Sequence, residues 1–157
     1  MKFIAFILYM LTVSLWVGGI ALFTFVITPL IFKGFSRDAA AAIVDKFFNA
    51  YFLYNFSLSI FAMLLYLVSR QIWTGSGFKA SIILLIFAVL INSYVTFKLH
   101  PDILIVKRQV GSFENAPKDD PMRRKFGRLH AVSAVLNLLV FADGVALLVI
   151  ENYFRGR

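Results

Sequence analysis

The sequence predicts an all-α integral membrane fold: an antiparallel, up-down four-helix bundle with both termini on the non-cytoplasmic side. Three observations predict it. Of the 157 residues, 61% are hydrophobic and the mean hydropathy is +0.83, whereas a soluble domain carries about 45–50% apolar residues. The apolar residues gather into four runs, each long enough to cross a hydrocarbon core, which takes roughly 20 helical residues. The basic residues sit almost wholly in the gaps between those runs, the pattern by which membrane proteins fix their orientation.

The first run covers residues 3–32 and holds no charge. A signal peptide's apolar core is only about 7–15 residues and ends at a small-residue cleavage site. This run is therefore expected to stay as the first span, with Pro29 bending its end. Ser14, Gly18 and Ala21 form a stripe of small residues suited to close helix contact. Next comes GFSRDAAAAIVDKFF, where Ser36 has the chemistry of an N-cap. A helix is expected to begin there at headgroup depth and continue into a second span over residues 47–69. The second connection, RQIWTGSGFK, is a short turn with Trp73 at interfacial depth. The third span is residues 78–97. A polar connection from Lys98 to Arg128 follows, broken at Gly111, Pro117 and Pro121, and the fourth span covers residues 129–153. Together they make one four-span domain over residues 1–157. Nothing in the runs alternates in polarity as barrel strands do, and backbone groups in lipid must be satisfied within their own segment. No matching motif links the first pair of spans to the second.

Charge sets the orientation. The first and third connections hold eleven basic residues: Lys33, Arg37, Lys46, Lys98, Lys107, Arg108, Lys118, Arg123, Arg124, Lys125 and Arg128. The termini and the second connection hold five: Lys2, Arg70, Lys79, Arg155 and Arg157. The positive-inside rule puts the eleven in the cytoplasm, as expected of a multi-pass protein of the cell's inner (plasma) membrane. The Arg123–Lys125 cluster also suits anionic headgroups. This placement makes the lipid bilayer the partner of the net charge of +8 and argues against nucleic acid; a homo-oligomer is compatible with it. With no cysteine and two histidines, disulfides, thiolate sites and a closed His/Cys zinc site are excluded. No phosphate-binding loop is present, so direct use of ATP is not expected.

Chemistry has few places to sit. Spans three and four run antiparallel, and their cytoplasmic ends carry His100 and His130. Ser93 and Asn137 each lie seven residues inward of a histidine, nearly two helical turns and so on the same face. Thr24, Asn55 and Asn92 fall at about that depth, and Ser133 lies between His130 and Asn137. Polar side chains in hydrocarbon must find partners, so the layer is expected to point inward as a pocket open to the cytoplasm, or else simply to bond the helices together. The histidines are solvated or structural, or they handle a proton or metal, or they ligate b-type haem. Pro101 disfavours helical geometry at His100. Asp143 is the one acid well inside a span, and such residues are functional candidates. It lies about 140° around the helix from His130 and Asn137 at ~100° per residue, so it belongs to another wall. It is protonated, faces a second protomer, or is wet near the outer surface. The phenylalanines are expected to face lipid or fill the core.

Four stretches carry a family resemblance: SLWVGGIALFTFVITPLIF, FFNAYF, KLHPDI, and RLHAVSAVLNLL with its H-x-x-S-x-x-x-N pattern at His130, Ser133 and Asn137. Taken together, over nearly the whole chain, they resemble the four-helix membrane family named domain of unknown function 4149, which includes the eukaryotic transmembrane protein 205. The resemblance implies a four-span membrane protein with no settled reaction. It also implies a link to metal or solute handling, since the eukaryotic member is associated with resistance to platinum drugs. That branch lacks a histidine at the position of His100. The W-x-G-G stretch at Trp16–Gly19 is similar, more faintly, to the copper-resistance D membrane family and to four-helix bacterial protoporphyrinogen oxidases.

The leading reading is a non-enzymatic membrane protein that binds or moves a small solute or metal ion through a polar pocket of Asn55, Ser93, His100, His130, Ser133 and Asn137. No residue is assigned a catalytic role. A membrane redox protein with haem b held by His100 and His130 is the alternative, and a purely structural protein is the third.

Overall fold

In lipid each backbone amide must bond within its own segment, and the four apolar runs accordingly form helices. The chain was analysed as a computed structural model that describes residues 2–69 and 77–155, with side chains over 3–69 and 78–153. Span one is helix α1 (Lys2–Ala21), a π-helical turn (Leu22–Ile27) and α2 (Thr28–Gly34). Span two is α3 (Arg37–Ser69). Span three is α4 (Gly77–Tyr94), a second π-helical turn (Val95–Leu99) and α5 (His100–Val110), and span four is α6 (Pro121–Arg155). The described residues contain no strand. The spans run from 33 to 35 residues, about 50 Å at ~1.5 Å per residue, against a core of about 30 Å. The helices therefore project well past the hydrocarbon, as the excess length of the first and last apolar runs and the headgroup-depth start of span two predict, and span three does so as well.

Span one packs on spans two and four, and span three on the same two. Spans one and three thus stand on a diagonal. The inward stripe of α1, formed by Tyr9, Val13, Trp16 and Ile20, is fully buried, as are Ala62, Leu85, Ala88 and Leu147 opposite. Leu15, Leu90 and Val149 are more than 60% exposed, an outer surface that suits acyl tails.

Three expectations need correction. Pro101 does not pull His100 out of the helix, since His100 keeps φ −64° and ψ −46°. A proline ring clashes with the carbonyl four residues back, and here a widened turn precedes it. The His100 N–H bonds the Val95 carbonyl, and in span one the Thr28 N–H bonds the Phe23 carbonyl just before Pro29. Both are five-residue spacings that give the ring room. Span three therefore continues to Val110, and the polar connection shrinks to residues 111–120. Second, the two π-turns show a local repeat that the sequence reading did not find: Thr24-Phe-x-Ile-x-Pro-x-Ile31 and Thr96-Phe-x-Leu-x-Pro-x-Ile103. Third, the Ser14–Gly18–Ala21 stripe is not a contact face. Nothing lies within 4 Å of a Cβ placed on Gly18, whereas one on Gly19 would meet Tyr54 at 2.8 Å and one on Gly144 would meet Val17 at 2.5 Å. The small residues that matter are those on the inward-turning side. The Trp73 turn lies outside the described residues.

The end of the bundle carrying residues 35–36 and 111–120 is the basic end; the other is the terminal end. At the basic end the Ala39 N–H reaches Ser36 Oγ at 3.4 Å, and Asp120 accepts the Arg123 N–H at 2.8 Å. These side chains cap α3 and α6. Asp38 accepts from the Ser112 hydroxyl at 2.5 Å and the Phe113 N–H at 2.7 Å. Lys107 of α5 pairs with Asp45 of α3 and donates to the Ala41 carbonyl. The third connection is thereby fastened to the start of span two.

Candidate functional site

A polar floor forms where three spans meet beside the first π-turn. That turn brings Thr24 toward α6, and the buried face of α3 presents Tyr51. The Tyr51 hydroxyl donates to Asn137 Oδ1 at 2.6 Å, and Asn137 Nδ2 donates to Thr24 Oγ1 at 2.9 Å. One amide thus bridges spans one, two and four. Ser133 and His130 lie on the same face of α6, four and seven residues nearer the basic end. Above the floor is a cavity of about 360 Å³ lined by Thr24, Thr28, Tyr51, His130, Ser133 and Asn137, with Phe23, Phe25, Phe48, Phe52 and Leu138 as apolar walls. Its size is at the lower end of ligand pockets.

Of the six residues singled out from the sequence, His130, Ser133 and Asn137 line this cavity. His100 does not. It is buried, packed 4.9 Å from the Phe52 ring and 6.1 Å from Phe48, and its Nε2 has no partner among the described residues. It shares with His130, Asp45 and Lys107 a separate void of about 60 Å³. Asn55 is buried with Oδ1 unbonded but lines neither space. The Ser93 hydroxyl bonds the Val89 carbonyl of its own helix at 2.7 Å, a satisfied group that needs no pocket. Asn92 and Asn137 flank a void of about 10 Å³. The single layer expected from depth is split: Phe48, stacked on Phe52 at 5.3 Å and 19°, lines both spaces, and His100 packs against the two rings.

The opening is also displaced. A mouth on the axis at the basic end was expected. The exposed lining residues are instead Phe25 (54% exposed), Leu138 (45% exposed), His130 and Ala134, at the seam of spans one and four. The phenylalanines thus do more than face lipid or fill space: they divide the interior.

Haem does not fit between the histidines. Axial imidazoles stand on opposite faces of a macrocycle, but the shared void of about 60 Å³ holds only a few water molecules at about 30 Å³ each. The His130 ring is also stacked on Phe126 at 5.7 Å and 9°. Among the described residues no three His, Asp or Glu side chains gather as a metal site, and Asp45 is already paired with Lys107.

Sequence reasoning missed Tyr51, although a hydroxyl-bearing ring one turn before Asn55 on the inward face was a usable signal. It also missed a second buried polar group, near the terminal end. There the Ser81 hydroxyl donates to Glu151 Oε1 at 2.9 Å, and the Tyr66 hydroxyl lies in hydrogen-bonding reach of the same carboxylate. The Tyr9 ring packs 5.0 Å from that of Tyr66. Asp143 is 5% exposed and neither oxygen has a partner among the described residues. The alternatives that it faces a second protomer or the wet outer surface are therefore set aside, because it points into the bundle.

The sequence profile of the family described as Domain of unknown function (DUF4149) matches residues 11–112. The match takes in most of span one and all of spans two and three, and stops before the His130–Asn137 stretch. No curated protein matches the chain, and no solved structure matches it.

Proposed function

Because the chain belongs to the DUF4149 family, a grouping that carries no assigned activity, we propose its function from its own cavity: a non-enzymatic membrane protein that binds a small, uncharged amphipathic molecule and moves it within or across the bilayer. One observation carries the reading, the amide of Asn137 held between Tyr51 and Thr24 at the floor of a cavity of about 360 Å³. The polar groups lining that cavity are neutral: three hydroxyls, a phenol, an amide and the His130 imidazole. They match a hydroxyl, carbonyl or amide head better than a phosphate or an ammonium, which would need a counter-charge. The walls are phenyl rings and leucine, suited to a hydrocarbon tail entering at the seam of spans one and four. The placement of basic residues supports an orientation with the basic end in the cytoplasm of a cell with the protein in its inner (plasma) membrane. On this reading the chain is a transmembrane protein 205-like member whose cargo is a neutral amphiphile. A metal-ion cargo has less support, given the paired Asp45 and the two imidazoles alone.

A photoreactive diazirine analogue of hexadecanol, added to protein in lipid nanodiscs, tests the reading. Expected crosslinks fall on Phe25, Ser133 and Leu138, are displaced by excess hexadecanol, and disappear in Asn137→Leu. Crosslinks spread evenly over outward-facing residues such as Leu15, Leu90 and Val149 would overturn it.

A further inference from the structure

The half of the bundle away from the basic end holds two acids that the cavity does not use. Gly144 lies against Val17, since a Cβ there would come within 2.5 Å of Val17 Cγ2. Val17 stands near the middle of span one, Phe3–Gly34, so Asp143 lies near mid-bilayer depth. Glu151 is eight residues further on, about 12 Å nearer the terminal end at ~1.5 Å per residue. Both side chains are buried, at 5% and 4% exposed. Among the described residues neither has a cationic partner, and the two ion pairs, Lys98–Asp102 and Lys107–Asp45, stand at the basic end. The groups facing the acids are Tyr9 from α1, Tyr66 from α3 and Ser81 from α4, while the side chains of Lys79 and Tyr153 are exposed.

Buried charges of one sign must be neutralised. A metal or alkali cation requires several oxygens converging on one point, and two carboxyls about 12 Å apart along the helix axis cannot share one. The unsatisfied atoms instead lie at the depths of the two acids, with Trp16 next to Val17 and Tyr9 about two turns nearer the terminal end. The Tyr9 hydroxyl, Trp16 Nε1 and both Asp143 oxygens are buried with no partner among the described residues. Tyr9 is fully buried, in electrostatic reach of both Glu151 and Asp143, and packed on Tyr66, which reaches Glu151.

We propose that Asp143 is a proton-binding site at the centre of the bundle, loaded and unloaded from the terminal end through Glu151 and the hydroxyls of Tyr66 and Tyr9. A proton from water at that end adds to the Glu151 carboxylate. The resulting acid donates to a tyrosine oxygen as that tyrosine's own proton leaves to a water molecule, which hands a proton on to Asp143. One proton enters, Asp143 becomes neutral, and Glu151 and the tyrosines return to their starting forms. The inference is independent of the amphiphile reading and adds an energy source to it.

Infrared difference spectroscopy on the protein in nanodiscs, between acidic and alkaline buffer, tests the proposal. The wild type is expected to show a protonated-carboxyl band that Asp143→Asn removes and Asp143→Glu shifts. The glutamate variant keeps the test alive if the asparagine one does not fold. Tyr9→Phe is expected to keep the band and slow its exchange with deuterium, which a merely structural tyrosine would leave unchanged. A band indifferent to both Asp143 variants, a band that follows sodium at constant pH, or unaltered exchange in Tyr9→Phe would overturn it.

Discussion

Replacing Gly144 by alanine tests the register that sets Asp143 in the core. The new methyl would sit 2.5 Å from Val17 Cγ2. Valine is stiff at χ1 in a helix, so the clash is relieved only by shifting α1 against α6. Overpacking of this kind costs about 1–3 kcal/mol, while alanine regains about 0.8–1 kcal/mol of helix propensity over glycine. The net expectation is a loss of up to about 2 kcal/mol. Val17→Ala removes the obstructing methyl from a half-buried side chain, so the double variant is expected to recover most of the loss. The coupling should be about 1–2 kcal/mol, inside the range for residues in contact. The assay is unfolding by sodium dodecyl sulfate from mild-detergent micelles, followed by tryptophan fluorescence, since Trp16 is fully buried beside Val17. Two single effects that add to within about 0.5 kcal/mol would refute this packing, and with it the depth given to Asp143.

Asn137→Leu removes two interhelical hydrogen bonds, each worth about 0.6 kcal/mol in a membrane, and is expected to cost about 1 kcal/mol by the same unfolding assay. Tyr51→Phe in addition should cost less than the sum, and a variant more stable than wild type would show that the floor is not bonded. The chain has no cysteine, so Asn115→Cys and Lys79→Cys can be labelled singly with an impermeant maleimide. The first should react only from the cytoplasm and the second only from outside, and the reverse pattern would refute the orientation. Purified protein is expected to show no Soret band, and a Soret band lost in His130→Ala would contradict the fit of the histidine void.

The four spans and their inward polar faces were legible because burial in lipid imposes both a length and a polarity on each helix. The cap at Ser36 was legible because its hydroxyl sits three residues before the amide it serves. What escaped was of two kinds. Reading Pro101 as a helix breaker treated the proline alone, whereas the widened turn before it makes room for the ring. Glu151, two residues before Tyr153, drew no expectation, because hydropathy alone does not register that Ser81 and Tyr66 of two other helices turn toward it. The site was read by depth, and depth alone placed Ser93 with Asn137. Side-chain direction and the bulk of Phe48 and Phe52 then separated them.

Each widened turn stores one residue beyond what an α-helix of equal rise would hold, so the helical faces on either side are rotated by about 100°. Spans two and four are uninterrupted rods of 33 and 35 residues, while spans one and three each carry one such slack point. The four helices thereby sort into two unbroken rods and a diagonal pair that each carry one widened turn, with Thr24 inside the first turn and His100 directly after the second.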